Sequence, residues 1–174
     1  MTLGGQYDWT LKRYPSSPPP PFPADVAALV EALFPAMRAQ AAIVNFYSPG
    51  DRLSVHRDVS EACARPLVSV SLGCEGVFVV GVEDEAEGGG GGKARTVVLR
   101  LRSGDALVMS GRARFAWHGV PQVLAGTCPE YLREWPAAGA EASGEEEEGA
   151  EQYEQWRAWM AGKRINLNVR QMWD

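Results

Sequence analysis

A mainly β fold with flanking helices, arranged as a double-sheet sandwich or barrel, is predicted by three observations. Hydrophobic residues alternate with period two through most of residues 41–118 and again over 164–170. Turn-forming residues break that alternation into short segments, as in Ser48-Pro49-Gly50, Ser103-Gly104-Asp105 and Ser110-Gly111. Helical spacing is confined to two stretches, one before the alternating region and one near its end. With 174 residues, 45% hydrophobic and 22% charged, the chain has material for one core and not two. Those values exclude a collagen, a coiled coil or wholesale disorder.

Taken in order, residues 1–23 read as extended. The tract Ser16–Pro23 is too rich in proline for a helix or a central strand and forms a stiff connector. A helix is expected from Ala24 to about Met37, with Val26, Leu29, Val30, Leu33 and Phe34 on one stripe and Pro23 at its start. Strands are expected at Ala41–Tyr47, Leu53–His56, Pro66–Leu72, Gly76–Val82, Arg95–Leu101, Ala106–Met109, Arg114–His118 and Arg164–Arg170. A second helix is expected near Glu151–Gly162, its stripe of Tyr153, Trp156, Trp159 and Met160 packing into the core. Two low-complexity segments, 83–92 and 136–150, read as flexible inserts. Residues 1–40 thus form an N-terminal extended segment with a supporting helix, and 41–174 the barrel.

The net charge is −5, which at first sight disfavours a nucleic-acid partner. Half of the 22 acids, however, lie in Glu83–Glu87 and Glu141–Glu154, and the remaining 11 face all 17 bases. The body is therefore basic. Cys63, Cys74 and Cys128 are odd in number and lack metal-type spacing, which fits free thiols in a reducing compartment. No apolar run approaches a membrane span and no signal peptide is recognisable. The opening, close to Tyr7 and Trp9, fits a fragment of a longer chain.

Chemistry concentrates on the two histidines. His56-Arg57-Asp58 places an imidazole and a carboxylate on one side of an extended segment, and His118 ends another strand. HxD alone is a weak signal. With a distant third ligand it matches the two-histidine, one-carboxylate set of non-haem Fe(II) oxygenases. The strand Arg164–Arg170 strengthens it, since Arg164, Asn166, Asn168 and Arg170 share one face. An edge strand with a wet face would alternate likewise, but would not favour arginine and asparagine alone. Asn45 and Tyr47 share a face in the same way. Arginine grips carboxylates with paired hydrogen bonds, and a metal beside two arginines suits a small dianionic chelator such as 2-oxoglutarate.

Asn45-Phe46-Tyr47, His56-Arg57-Asp58, Pro66–Gly73, Ser103–Gly111, His118-Gly119-Val120-Pro121 and the RxNxxxR of Arg164, Asn166 and Arg170 together resemble the AlkB-type Fe(II)/2-oxoglutarate dioxygenases. The resemblance covers roughly residues 41–126 and 151–172. It is strongest to the eukaryotic homologue 1 branch, through Ser60-Glu61, the long insert before RxNxxxR, and Tyr7-Asp8-Trp9 with Lys12 and Tyr14. It implies a double-stranded β-helix, the jelly-roll-like cupin-type barrel. It implies Fe(II) on His56, Asp58 and His118. Arg164 and Tyr47 would hold the distal carboxylate of 2-oxoglutarate, and Arg170, Asn166 and Asn45 would serve its chelating end. O2 is the second co-substrate.

The implied reaction is oxidative demethylation of N-methylated bases in DNA or RNA, with N1-methyladenine in tRNA or N6-methyladenine in DNA favoured. A protein or small-molecule substrate, or a truncated non-catalytic adaptor, is the alternative. Candidate substrate contacts are Tyr7, Trp9, Arg57, Ser60, Glu61 and Arg114, with Lys12, Arg13 and Arg112 as further rim cations. Packing is the competing role for Trp9. Ser60 stands where bacterial AlkB sequences carry a second acid, so their substrate preference does not transfer. The protein is expected to be an intracellular monomer, in nucleus, cytoplasm or mitochondrion.

Overall fold

The computed structural model describes residues 1–83, 94–137 and 153–174. Most of both expected inserts falls outside these residues. The described chain forms two antiparallel sheets. One has the order β1-β2-β9-β4-β7 and the other β3-β8-β5-β6. The strands are β1 (Thr2–Gly4), β2 (Ala41–Tyr47), β3 (Leu53–His56), β4 (Leu67–Gly73), β5 (Gly76–Glu83), β6 (Ala94–Leu101), β7 (Ala106–Met109), β8 (Trp117–Val123) and β9 (Arg164–Arg170). Two packed sheets with this many crossovers are the jelly-roll arrangement expected.

Strand β9 lies between β2 and β4, pairing Tyr47 with Arg164 and Asn45 with Asn166 on one side, and Ser71 with Asn166 and Ser69 with Asn168 on the other. Both faces of this sheet carry core packing. On the outer face Val68 and Val169 pack with Val30, Met37 and Ala42 beneath α1 (Ala24–Leu33). Between the sheets, Leu67, Phe78, Met109 and Val120 belong to the larger core. The alternation of β9 therefore separates an apolar face under the helix from a polar face inside the barrel.

Several departures from the sequence expectation are seen, and the first three trace to the backbone. Helix α1 ends at Leu33, not Met37: Pro35 follows, and the residue before a proline is pushed out of helical backbone. It buries Val30 and leaves Leu29 and Leu33 exposed. The expected strand Arg114–His118 is displaced. Gly111–Ala113 is a 3-10 turn, and β8 runs on through Gly119 and Pro121. Pro121 is tolerated because the β5–β8 register slips between Val77 and Val79, a bulge where no ladder hydrogen bond is needed. Of the expected second helix, the described residues keep helical structure only at Tyr153 and Glu154, followed by turns. Ala158 takes a left-handed conformation (φ 61°), and only the 3-10 turn Trp159–Gly162 follows. Its stripe buries Met160 but leaves Trp156 exposed. Finally, the extended N-terminus contributes β1, which pairs with β2. A further short helix, α2 (Glu130–Arg133), was not expected.

All three cysteines are free and buried. Among the described residues, no helix is long and apolar enough to cross a membrane.

Candidate metal centre and active-site cavity

Strands β3 and β8 bring the histidines together, with His56 paired to His118 and their rings 4.4 Å apart. Gly119 permits the approach: a Cβ there would meet the Leu53 carbonyl at 2.9 Å and the Val55 backbone at 3.2 Å. Asp58 joins them from the segment after β3. One donor atom from each of the three residues lies within 4.8 Å of the others.

The ring orientations suit a metal. Nδ1 of His56 is 2.9 Å from the Ser54 carbonyl, and Nδ1 of His118 is 3.0 Å from that of Ala116. Each carbonyl takes the Nδ1–H and leaves Nε2 free as a neutral ligand. Those Nε2 atoms stand 3.8 and 3.7 Å from opposite oxygens of Asp58, leaving room for an ion among them. Burial, partly opposed by its backbone hydrogen bond and by Asp58, pushes His118 below the ordinary histidine range. The donor set, two imidazoles and a carboxylate, fits Fe(II) with positions left for co-substrates.

Asp58 is itself held. Its Oδ2 accepts from Arg170 at 3.2 Å and from Asn168 at 3.3 Å. Arg170 also donates to Glu61 at 2.8 Å, and the other oxygen of Glu61 accepts from Arg114 at 2.9 Å. Arg114 completes the row with bonds to the carbonyls of Asp58 (3.0 Å) and Arg65 (2.7 Å). The result is a buried line of alternating charge, Arg114–Glu61–Arg170–Asp58. Arg114 and Glu61 were expected to touch substrate. Both are buried, with Arg114 1% exposed and the Glu61 side chain sealed between two guanidinium groups. They support the metal carboxylate and do not form a rim.

Above the triad opens a cavity of about 460 Å³. Its walls include Asn45, Asn166, Asn168 and Arg170 from the polar strand faces, and Tyr7, Trp9, Lys12, Arg57 and Ser60 near its mouth. A tight loop presents the N-terminal residues. Asp8 and Arg13 exchange backbone hydrogen bonds, and the Asp8 carboxylate accepts the backbone N–H groups of Thr10 and Leu11. Tyr7 packs edge-on against Trp9 and Tyr14. Trp9 is 64% exposed, so core packing is not its role. Arg13 lies away from this cavity, against Tyr14 and Ser16 in a separate hollow.

Tyr47 and Arg164 are buried on the strand faces two residues beyond Asn45 and Asn166. Arg164 donates to the Ser71 hydroxyl at 2.9 Å and the Cys74 carbonyl at 3.4 Å. Its Nε and the Tyr47 hydroxyl are buried without a hydrogen-bond partner among the described residues. Two orphaned donors side by side are an uncommon cost unless an acceptor joins them. A carboxylate would fit. Burial lowers the pKa of Arg164 and raises that of Tyr47, each partly opposed by the other.

The sequence reading missed the serines that hold this face. Ser69 accepts from Asn166 at 2.7 Å and Ser71 from Arg164. Their signal was the Ser69-Val70-Ser71 alternation, which marked a strand without marking its polar face. Asn168 was placed on the correct face, but its bond to Asp58 was not foreseen.

Residues 1–170 match the family model of the 2OG-Fe(II) oxygenase superfamily. The chain belongs to this superfamily. Within it the oxygenase is of AlkB homologue 1 type. It is 54% identical over 179 residues to the N6-methyladenosine RNA demethylase ALKBH of Cryphonectria parasitica, with 100% of this chain and 75% of that protein covered. It is 40% identical to the tRNA demethylase abh1 of Schizosaccharomyces pombe, covering 99% of this chain and 52% of that one. It is 31% identical to the human nucleic acid dioxygenase ALKBH1, covering 99% and 45%. The oxygenase thus spans three quarters of one relative and about half of the others. A solved structure, OsALKBH1, shares the fold with a TM-score of 0.69 at 24% identity, over 98% of this chain and 76% of that chain.

Proposed function

We propose that this oxygenase removes N-methyl groups from adenine in nucleic acid. The observation that carries the reading is one cavity with the His56-Asp58-His118 set in its wall and an aromatic, cationic loop at its mouth. A base must leave its stack to reach such a site, and aromatic faces with cations at the entrance are what receive it. The names of the relatives, which act on N6-methyladenosine RNA and on tRNA, support the same class.

His56, Asp58 and His118 hold the metal in this reading. Arg164 and Tyr47 receive the distal carboxylate of 2-oxoglutarate, which gives their orphaned donors an acceptor. Asn45 and Asn166 line the path to its chelating end, and Arg170 keeps Asp58 oriented while facing the same cavity. When held by these residues, Fe(II) would supply oxidative chemistry that uses O2 and 2-oxoglutarate, whose outcome on an N-methyl group is formaldehyde and the bare amine, with succinate and CO2 as co-products. Tyr7 and Trp9 stack the base, and Lys12 and Arg57 meet its phosphates.

Release of formaldehyde and succinate tests this over N1-methyladenine RNA, N6-methyladenine RNA and DNA, and a methyl-lysine peptide. Turnover is expected on a methylated adenine. Turnover on the peptide alone overturns the reading.

The 2-oxoglutarate grip has its own test. A Cβ at Gly76 would lie 2.7 Å from Nε of Arg164 and 2.9 Å from its central carbon. A guanidinium can move where a backbone cannot, so Gly76→Ala should fold and displace Arg164. The 2-oxoglutarate concentration for half-maximal succinate release should rise about tenfold, the worth of one charge-assisted hydrogen bond. Iron content should not change.

A further inference from the structure

A second hollow of about 440 Å³ lies beside the active-site cavity and shares Arg57 with it. Its other walls include Arg112, Phe115, Trp117 and Gly81. We infer that this hollow seats the nucleotide next to the methylated one, its phosphate on Arg57 and Arg112 and its base on Trp117. The inference rests on the nucleic-acid reading above and extends it to a single-stranded flank.

Strand geometry supplies the arrangement. His118 faces into the barrel and is buried, so its neighbour Trp117 faces out and is 50% exposed. Directly across from Trp117 the paired residue is Gly81, which leaves bare backbone beside the indole. A Cβ at Gly81 would meet only the Arg95 carbonyl at 3.8 Å and the Thr96 hydroxyl at 3.9 Å. The space is therefore open by the choice of residue and not forced by packing. Arg57 sits between the two metal ligands His56 and Asp58 in sequence and serves the outer side. Its Nε donates to the Phe115 carbonyl at 2.7 Å, and its guanidinium carbon lies 5.9 Å from the Trp117 ring centre. That bond fixes the guanidinium through its one nitrogen hydrogen-bonded among the described residues, which leaves the terminal nitrogens to an anion.

An exposed indole beside two cations is a base-and-phosphate seat of the kind used for single strands, and it is tolerant of sequence because every base has a stacking face. The shared Arg57 gives the register. A strand whose modified base enters the cavity at the triad passes Arg57 and meets Trp117 next.

Gly81→Val fills the hollow without touching a metal ligand or the 2-oxoglutarate grip, and Arg112→Ala removes a cation from its wall. The protein is kept anaerobic with Fe(II) and 2-oxoglutarate, so that binding is read without turnover. The probes are a labelled five-nucleotide single strand carrying one N6-methyladenine, read by anisotropy, and N6-methyladenosine 5′-monophosphate as competitor. Gly81→Val should weaken the pentanucleotide about tenfold, the loss of one stacked base. The monophosphate should compete as it does against wild type. Arg112→Ala should flatten the slope of log affinity against log salt by about 0.7, one single-strand phosphate contact. If either variant binds the pentanucleotide with wild-type affinity and salt slope, the inference is overturned. Equal weakening of both probes also overturns it, because the effect then comes through His118. Wild type that binds neither probe removes the nucleic-acid reading itself, and this inference with it.

Discussion

Asp58→Ala should abolish iron binding and turnover together while the chain stays folded. Asp58 is the one ligand that faces both imidazoles, through opposite oxygens at 3.8 and 3.7 Å. Changing a group that merely orients a ligand costs metal sites about 10- to 100-fold in affinity, so losing the carboxylate should cost more than about 100-fold. The fold should survive because Arg170 keeps its bond to Glu61 and is not left as an unpaired buried charge. Metal content after desalting, with circular dichroism as the control for folding, decides the matter. Stoichiometric iron in the folded variant would mean that the metal sits elsewhere.

A different failure is expected at Glu61. Its carboxylate is the single negative charge between the guanidinium groups of Arg114 and Arg170, and all three side chains are buried. Breaking a buried ion pair by neutralising one partner typically costs about 3–5 kcal/mol, because the remaining charge has no water to turn to. Glu61→Gln strands Arg114, while Arg170 keeps Asp58, so urea denaturation should show a loss in that range. Adding Arg114→Met to Glu61→Gln should recover part of it by removing the stranded cation. The recovery should be incomplete, since Arg114 also holds the carbonyls of Asp58 and Arg65. Iron affinity should fall even where the variant folds, as Arg170 loses the anchor that aims it at Asp58. A variant as stable as wild type would show that the row is not a closed charge balance.

The same row marks the limit of what the sequence could say. The strands β2, β3, β7 and β9 have the bounds that alternation predicts, and in β9 a slip by one residue would turn the polar face out of the barrel. The metal ligands were legible for a related reason: with only two histidines in the chain, the choices were few. Glu61 and Arg114 are 53 residues apart, and neither shares a pattern with the other; their pairing exists only once β8 and the segment after β3 have come together. Exposure was misjudged where local spacing competes with backbone punctuation. Pro35 shortens α1, the left-handed Ala158 breaks the expected helix before Trp159, and a bulge lets β8 run through Pro121.

The central position of β9 has a consequence for biosynthesis. It hydrogen-bonds to β2 on one side and β4 on the other, yet in order of synthesis it follows every other strand described. Until residues 164–170 have left the ribosome, β2 and β4 stand apart with unpaired edges, and Asp58 lacks both Asn168 and Arg170. A nascent or truncated chain without this segment would be a pair of half-sheets with open edges, a form prone to aggregate and slow to find its long-range partners. Assembly of the sheet and alignment of the metal carboxylate are then one event, so no folding intermediate lacking β9 could bind iron as the finished oxygenase does.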